Sequence, residues 1–332
     1  MKYLFKKYWY LMVIFGCISL PIFLMGIIFT DKAIVVKGST SEINNVVDVD
    51  YDYKEEGSFS SIFVISMEHS TVLQNLICGI DDRAYVYEMS SSTLHFSNAE
   101  LNQISKIQYL SAHQTAIIKA YTEAAKLNNE IKIDYKYQSI SVTYYSLGSN
   151  LRIGDEIIAI NGYTIYDNFD EYKSLINNRS VGMIFTVNRD GQTIEITINE
   201  ADLKGLGGYT LFDINYNTIY PQISSNIGNS GGPSGGFMKT LSVFNKLTEF
   251  DYSLGLKIAG TGTIGFDGSV GKIGGIKQKI YAAFDDEIDI FFCPETNYEE
   301  ALIAYNSLKN KERMALVMVK NFTDAIEYLE NV

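Results

Sequence analysis

The sequence predicts a mixed α/β (α+β) chain in three parts: one N-terminal transmembrane helix, a mainly-β module near the middle, and a C-terminal region of alternating strands and helices. Three observations carry this. An uncharged run of 23 residues, Tyr8–Thr30, stands near the start. Two tight-turn dipeptides flanked by apolar strand patterns, Asn161-Gly162 and Asp190-Gly191, mark the middle. Toward the C-terminus, short apolar runs alternate with helical patterns, as in a sheet covered by helices. At 332 residues the chain has room for more than one core.

Residues 1–7 read as a cytoplasmic tail and 8–30 as a membrane-crossing helix. The run is long enough to span with some tilt, and Trp9 and Tyr10 stand where interfacial aromatics are expected. Pro21 is tolerated in a membrane helix. A cleaved signal peptide is the rival reading, but its apolar stretch would be shorter, and no A-x-A-like site follows. Lys2, Lys6 and Lys7 precede the run and Lys32 and Lys37 follow it, a small bias toward a cytoplasmic N-terminus with the bulk of the chain outside.

Residues 31–50, small, polar and acidic, read as a stalk. In 51–130, SSIFVISM is strand-like and 98–127 reads as a helix with Asn98 as N-cap. Residues 131–200 form the mainly-β module. Ile157–Ile160 runs into Asn161-Gly162, 168–177 reads as a short helix, and Phe185–Arg189 returns through Asp190-Gly191 as Thr193–Ile198, a hairpin. Residues 201–332 close the chain. Sixteen of its 26 glycines fall between Gly205 and Gly275, which fits close backbone approach around a site. A strand at Ile288–Phe292, a helix near 298–309, a strand at Ala315–Val319 and a last helix from Asn321 follow.

Composition excludes several classes. A net charge of −12 lacks the basic footprint that nucleic acid demands. Three scattered cysteines supply neither a disulfide framework nor a zinc site. All three histidines, His69, His95 and His113, lie in the first 113 residues. No G-x-x-x-x-G-K-[ST] nucleotide loop occurs.

The chemistry concentrates in two segments. In Gly231-Gly232-Pro233-Ser234-Gly235-Gly236 a serine stands among glycines where a helix is expected to begin, since Phe237, Leu241, Phe244 and Leu247 share a helical face. Backbone N–H groups there, near Gly232 and Ser234, can face a developing oxyanion. Further on, Lys277 and Lys279 follow Gly274-Gly275 in an apolar setting. A buried lysine loses proton affinity and can then accept a hydroxyl proton near neutral pH. With no histidine after residue 113, Ser–Lys is the activation route within this region. Taken singly, Ser234 also reads as an N-cap in a turn and each lysine as a solvated charge.

The ordered segments GGPSGG, TGTI, DGSVGKIGGIKQK and AAF resemble the Lon-type serine peptidase domain, over roughly residues 205–332. The resemblance implies Ser234 as nucleophile, Lys279 as general base and Thr261 as the hydroxyl that orients the lysine, with Gly232, Pro233 and Gly235 shaping the turn. Lys277 is then a bystander. Gly235 replaces the family's usual alanine, and Gly231 stands where the large cytosolic enzymes carry an acid. LRIGDEIIAINGYTIYD is similar to the core of bacterial PDZ domains, which implies peptide binding near Leu151, Ile153, Gly154 and Asp155; a purely structural β-module is the other reading. The whole arrangement resembles bacterial membrane-anchored, PDZ-containing Lon-like proteases, common in Gram-positive lineages. A Lon-type domain needs strands and a helix before its serine segment, and too few residues lie between 200 and 230 to supply them, so 51–130 is expected to supply its first half, with the PDZ domain as an insertion.

The expected function is a single-pass cell-membrane serine endopeptidase, its catalytic domain extracellular. It would cut unfolded or extended polypeptides without ATP, metal or cofactor, and homo-oligomers are compatible with that reading. The alternative is an inactive, membrane-tethered peptide-binding adaptor; a structural envelope protein is a further one.

Overall fold

The computed structural model describes residues 2–43, 47–50, 55–81, 83–166, 169–225 and 231–332, with the side chains of 2–6 and 47 excepted. Helix α1 (Lys2–Ile27) contains an apolar stretch, Lys7–Ile27, of mean hydropathy 2.3, none of which is buried against protein. Strands β1 (Lys32–Glu42), β2 (Val47–Val49) and β3 (Ser58–Met67) follow, then α2 (Val72–Cys78), β4 (Tyr85–Glu88) and the long α3 (Asn98–Ala124). The middle holds β5 (Tyr135–Tyr145), β6 (Glu156–Ile160), β7 (Tyr163–Thr164), α4 (Phe169–Asn177), β8 (Ile184–Arg189), β9 (Gln192–Thr197), α5 (Glu200–Lys204) and β10 (Leu206–Ile214). The C-terminal part holds β11 (Ile223–Ser225), α6 (Gly236–Lys246), β12 (Lys257–Gly260), β13 (Thr263–Ile264), β14 (Val270–Gly271), α7 (Ile276–Asp285), β15 (Ile290–Pro294), α8 (Tyr298–Asn306), β16 (Ala315–Val319) and α9 (Phe322–Leu329).

Two sheets organise the fold. The first has the order β16-β15-β12-β3-β1-β4, and chain segments far apart in sequence build it together. β16, β15, β12 and β3 run parallel, while β1 and β4 add antiparallel. One face packs on α3 and α6 through Phe59, Ile117, Tyr121, Phe237, Leu241 and Phe292. The other packs on α7 and α8 through Ile62, Ile276, Ile280, Phe291 and Ala301. The second sheet, β10-β5-β6-β8-β9 with β7 on β6, has its own core of Val142, Leu151, Ile157, Phe185 and Val187. Its two tight turns carry positive φ at both central residues, Asn161 (49°) with Gly162 (82°) and Asp190 (52°) with Gly191 (79°), as the dipeptides require.

Several expectations need correction. Residues 32–42, expected within a stalk, form β1 inside the first sheet, with Ala33 and Ile34 wholly buried; residues 44–46 of that stretch lie outside the described residues. The polar tail Lys37–Glu42 hides the strand in sequence, because its partner β3 lies beyond Gly57. The boundary at residue 200 falls short, since β10 pairs along its whole length with β5 of the second sheet. The long helix begins after Ser97, whose hydroxyl and Glu100 form a capping box, and it ends at Ala124, three residues early. The strand expected at 288–292 is shifted two residues onward, to Ile290–Pro294, and the helix near 298–309 stops at Asn306.

Candidate active site

The candidate site forms where β12 ends. Thr261 follows β12 directly and is fully buried, at the carboxyl edge of the parallel strands where open α/β sheets place their ligands. Ser234 approaches from the α6 face. It sits in a turn just ahead of α6, whose first residue is Gly236 rather than Ser234, so the serine is not the N-cap. Gly232 holds φ at +77°, the left-handed region that glycine enters freely. Lys279 approaches from the opposite face on α7. Gly275, at φ +68°, is the turn before that helix, and a Cβ there would stand 3.2 Å from Val35. Glycine thus lets α7 close onto β1.

These elements bring three side chains together. Lys279 Nζ lies 2.8 Å from Ser234 Oγ and 2.9 Å from Thr261 Oγ1. The Thr261 hydroxyl donates to the Ser234 carbonyl (3.1 Å), and the Gly262 N–H donates to the same oxygen (2.8 Å). The proton wiring follows. Thr261 spends its proton on Ser234 O, so its oxygen accepts an N–H of Lys279 and holds the amine against Ser234. Burial pushes the Lys279 amine down to about 7. None of the ion pairs among the described residues involves Lys279. Lys277, by contrast, lies over the Tyr281 ring on the outer side of α7.

The glycines act through backbone. The Gly232 N–H donates to Ser105 O on α3 (2.9 Å), so it is tied to the helix and is not a free oxyanion donor, contrary to expectation. Among the described residues no acceptor faces the N–H of Ser234 or Gly235. Pro233 O accepts the Gly236 N–H (3.2 Å), which closes the turn. A Cβ at Gly235 would meet Ser61 of β3 at 3.4 Å, ordinary contact distance.

Sequence reading missed a second buried cluster. Lys239 on α6 reaches His113 Nδ1 on α3 (2.8 Å) and the Tyr109 hydroxyl (3.3 Å). His113 Nε2 reaches Ser225 Oγ (3.1 Å), at the end of β11 on the way to Ser234. Burial, with the Lys239 cation second, pushes His113 down to about 3, while burial alone takes Lys239 to about 7. When Lys239 is a cation it can only donate to Nδ1, which leaves the proton of the neutral ring on Nε2, toward Ser225. That polarity makes His113 a tether and not a base. One signal was present: Lys239 is the single charge between Ser234 and Asn245 in an otherwise helical, apolar run.

Most of the residues expected to bind peptide in the second sheet are engaged inside the module. Leu151 and Ile153 are buried, the former in the core. Asp155 is 1% exposed, is clamped by the Arg189 guanidinium through both oxygens, and accepts the Arg152 N–H. The Gly154 N–H donates to Val142 O. The L-x-x-G-D segment is therefore a packing and turn device, and its side chains are not the peptide contacts.

Residues 223–330 match the family of the Lon protease (S16) C-terminal proteolytic domain. Over 97 residues the chain is 32% identical to the Lon protease of Campylobacter jejuni subsp. jejuni serotype O:2, a stretch covering 29% of this chain and 12% of that protein. The chain thus spans about an eighth of that relative's length. Ser234, Thr261 and Lys279 all lie within the segment that matches the Lon-type (S16) C-terminal proteolytic domain.

Proposed function

We propose that this protein is a membrane-anchored serine endopeptidase that cleaves unfolded or extended polypeptides through a Ser234–Lys279 dyad, without ATP, metal or cofactor. A Lon-type proteolytic domain supports serine-peptidase activity. The observation that carries the dyad is a buried lysine amine, pushed down to about 7, at 2.8 Å from a serine hydroxyl.

In this mechanism neutral Lys279 takes the Ser234 proton as Oγ attacks the peptide carbonyl. The N–H groups of Ser234 and Gly235 are the donors available to the oxyanion. Lys279, now an ammonium held by Thr261, protonates the leaving amine. It then removes a proton from water, which hydrolyses the acyl-enzyme. The α1 helix serves as a single-pass anchor, with the N-terminus cytoplasmic and the catalytic domain outside. The second sheet serves as a PDZ-like module that recognises an extended peptide by strand addition.

The test is digestion of casein by the detergent-solubilised chain without ATP, with Ser234→Ala and Lys279→Ala alongside. Fragments from the wild type and from neither variant support the dyad. A folded wild type that binds casein and yields no fragments would instead identify a tethered adaptor.

A further inference from the structure

The junction between α1 and the first sheet has no spacer. The Val72 N–H donates to Ile28 O (3.0 Å), the Thr30 N–H and hydroxyl both donate to Ser70 O (2.9 and 2.8 Å), and Asn75 Nδ2 donates to Thr30 Oγ1 (2.9 Å). Within three residues of the end of α1, the chain is therefore bonded to the segment carrying α2. Helix α2 packs beside α1: a Cβ at Gly26 would lie 3.8 Å from Leu73 Cδ2.

Helix α2, VLQNLIC, carries no charge and buries no residue. Leu76 is 54% exposed, Ile77 61%, and Ile80, just beyond, 85%. A corner so apolar is costly in water, and here it sits against the end of an apolar span. From this corner β3 runs back to the Ser234 turn. Gln74 of α2 contacts Met67, the last residue of β3 (3.9 Å). Ser61, whose Cβ faces the nucleophile turn, lies six residues earlier, about 20 Å of strand. Successive side chains alternate, so Phe63 and Ile65 lie on the same face as Ser61, and both are about half exposed. An open apolar line thus joins the membrane end of the domain to Ser234.

We propose that the domain rests on the bilayer through Leu76, Ile77 and Ile80, and that its substrates are membrane-anchored polypeptides whose extended, apolar segments lie over Phe63 and Ile65 and are cut at a short, constant distance outside the membrane. This rests on reading α1 as a membrane span and Ser234 as the nucleophile. An extended chain covers about 20 Å with roughly six residues, so the cut falls within about ten residues of the substrate's own span.

The experiment uses the full chain in lipid nanodiscs. In a Trp9→Phe background, tryptophan is placed by Ile80→Trp or by Val181→Trp, the latter at an exposed position of the second sheet's module. Lipids brominated near the headgroup are expected to quench the first by at least about twofold and to leave the second unchanged. Shielding of residue 80 from acrylamide without quenching by the lipid would show a second copy as the cover and overturn the proposal. Next, a one-span polypeptide with an unstructured arm is placed in the same bilayer and its cuts are mapped by mass spectrometry. Cuts are expected in the first ten or so arm residues, and Ile77→Glu with Ile80→Glu is expected to reduce them about tenfold while casein cleavage persists. Cuts spread evenly along the arm, or an unaffected double variant, would overturn it. Casein left intact by the wild type would strike the peptidase reading itself. Release of the chain from membranes by alkaline carbonate would strike the anchor.

Discussion

Replacing Lys279 by methionine is expected to abolish hydrolysis and, at low pH, to make the protein more stable. The lysine is 1% exposed and its amine sits near 7, against an ordinary value of 10.5. A group whose proton affinity is lowered on folding holds its proton more tightly in the unfolded chain. Between about 7 and 10.5 the unfolded state therefore binds up to one more proton, and stability rises with pH across that window. Below 7 the whole cost of a buried ammonium is present, on the order of 5 kcal/mol from the displacement of the pKa. Methionine keeps the length of the side chain and removes that cost. It also removes the contacts to Ser234 and Thr261, a loss of about 1 kcal/mol.

The variant should thus be more stable by roughly 4 kcal/mol at pH 6, and the advantage should vanish by pH 10. Urea midpoints of the two proteins in the same micelles at pH 6, 8 and 10 measure it. Lys239, which titrates in the same range, is common to both and cancels in the difference. The wild-type kcat/KM should rise about tenfold per pH unit below 7 and level above it, while the variant falls by at least about a thousandfold. A stability difference that stays constant from pH 6 to pH 10 would refute the reasoning. It would mean that Lys279 keeps an ordinary affinity and is protonated whenever the enzyme works.

Other outcomes follow from the same geometry. Thr261→Val removes the acceptor that holds the Lys279 amine, so kcat should fall about ten- to a hundredfold at unchanged KM, and Thr261→Ser should restore most of it. Asp155→Ala leaves Arg189 without its buried carboxylate and should destabilise the second sheet by about 3 kcal/mol, read as lost amide protection over residues 135–214. His113, held near 3 by burial and by Lys239, should stay neutral from pH 5 to 8, and an NMR titration step near 6.5 would refute that tether.

Much of this was legible because some residue types act locally. Asn161-Gly162 and Asp190-Gly191 dictate their turns by φ alone, and the helix after Asn321 begins where its side chain caps the Asp324 N–H. The serine turn and the lysine helix announce themselves through glycines that permit close backbone approach. What stayed hidden depends on partners distant in sequence. β1 contains KGSTSE, polar enough for a linker, and this part is held in the sheet by β3 alone, while β4 pairs with Lys32–Val35. β10 contains Gly207 and Gly208, weak strand formers, and is held by nine residues of pairing with β5. Ser105 contributes only a carbonyl, which no side-chain pattern reveals.

Helix α3 explains why the two sheets are interleaved in one chain. β10 is an edge of the second sheet, and its outer backbone groups would be bare. Gln114 closes both groups of Phe212, donating to its carbonyl (2.7 Å) and accepting from its N–H (3.0 Å), and the Ser111 hydroxyl donates to Thr210 O (2.7 Å). Glu100 in the cap of the same helix accepts from the Tyr145 hydroxyl (3.2 Å). Elsewhere on α3, Ser105 O holds Gly232 and His113 holds Ser225, both ahead of Ser234 in the chain. The helix that covers the module's edge is therefore also the one that holds Ser225 and Gly232, ahead of Ser234. A separate domain joined by a linker would satisfy the first requirement and not the second. The helix must pass both, and its 27 residues, about 40 Å of rise, give it the length to do so.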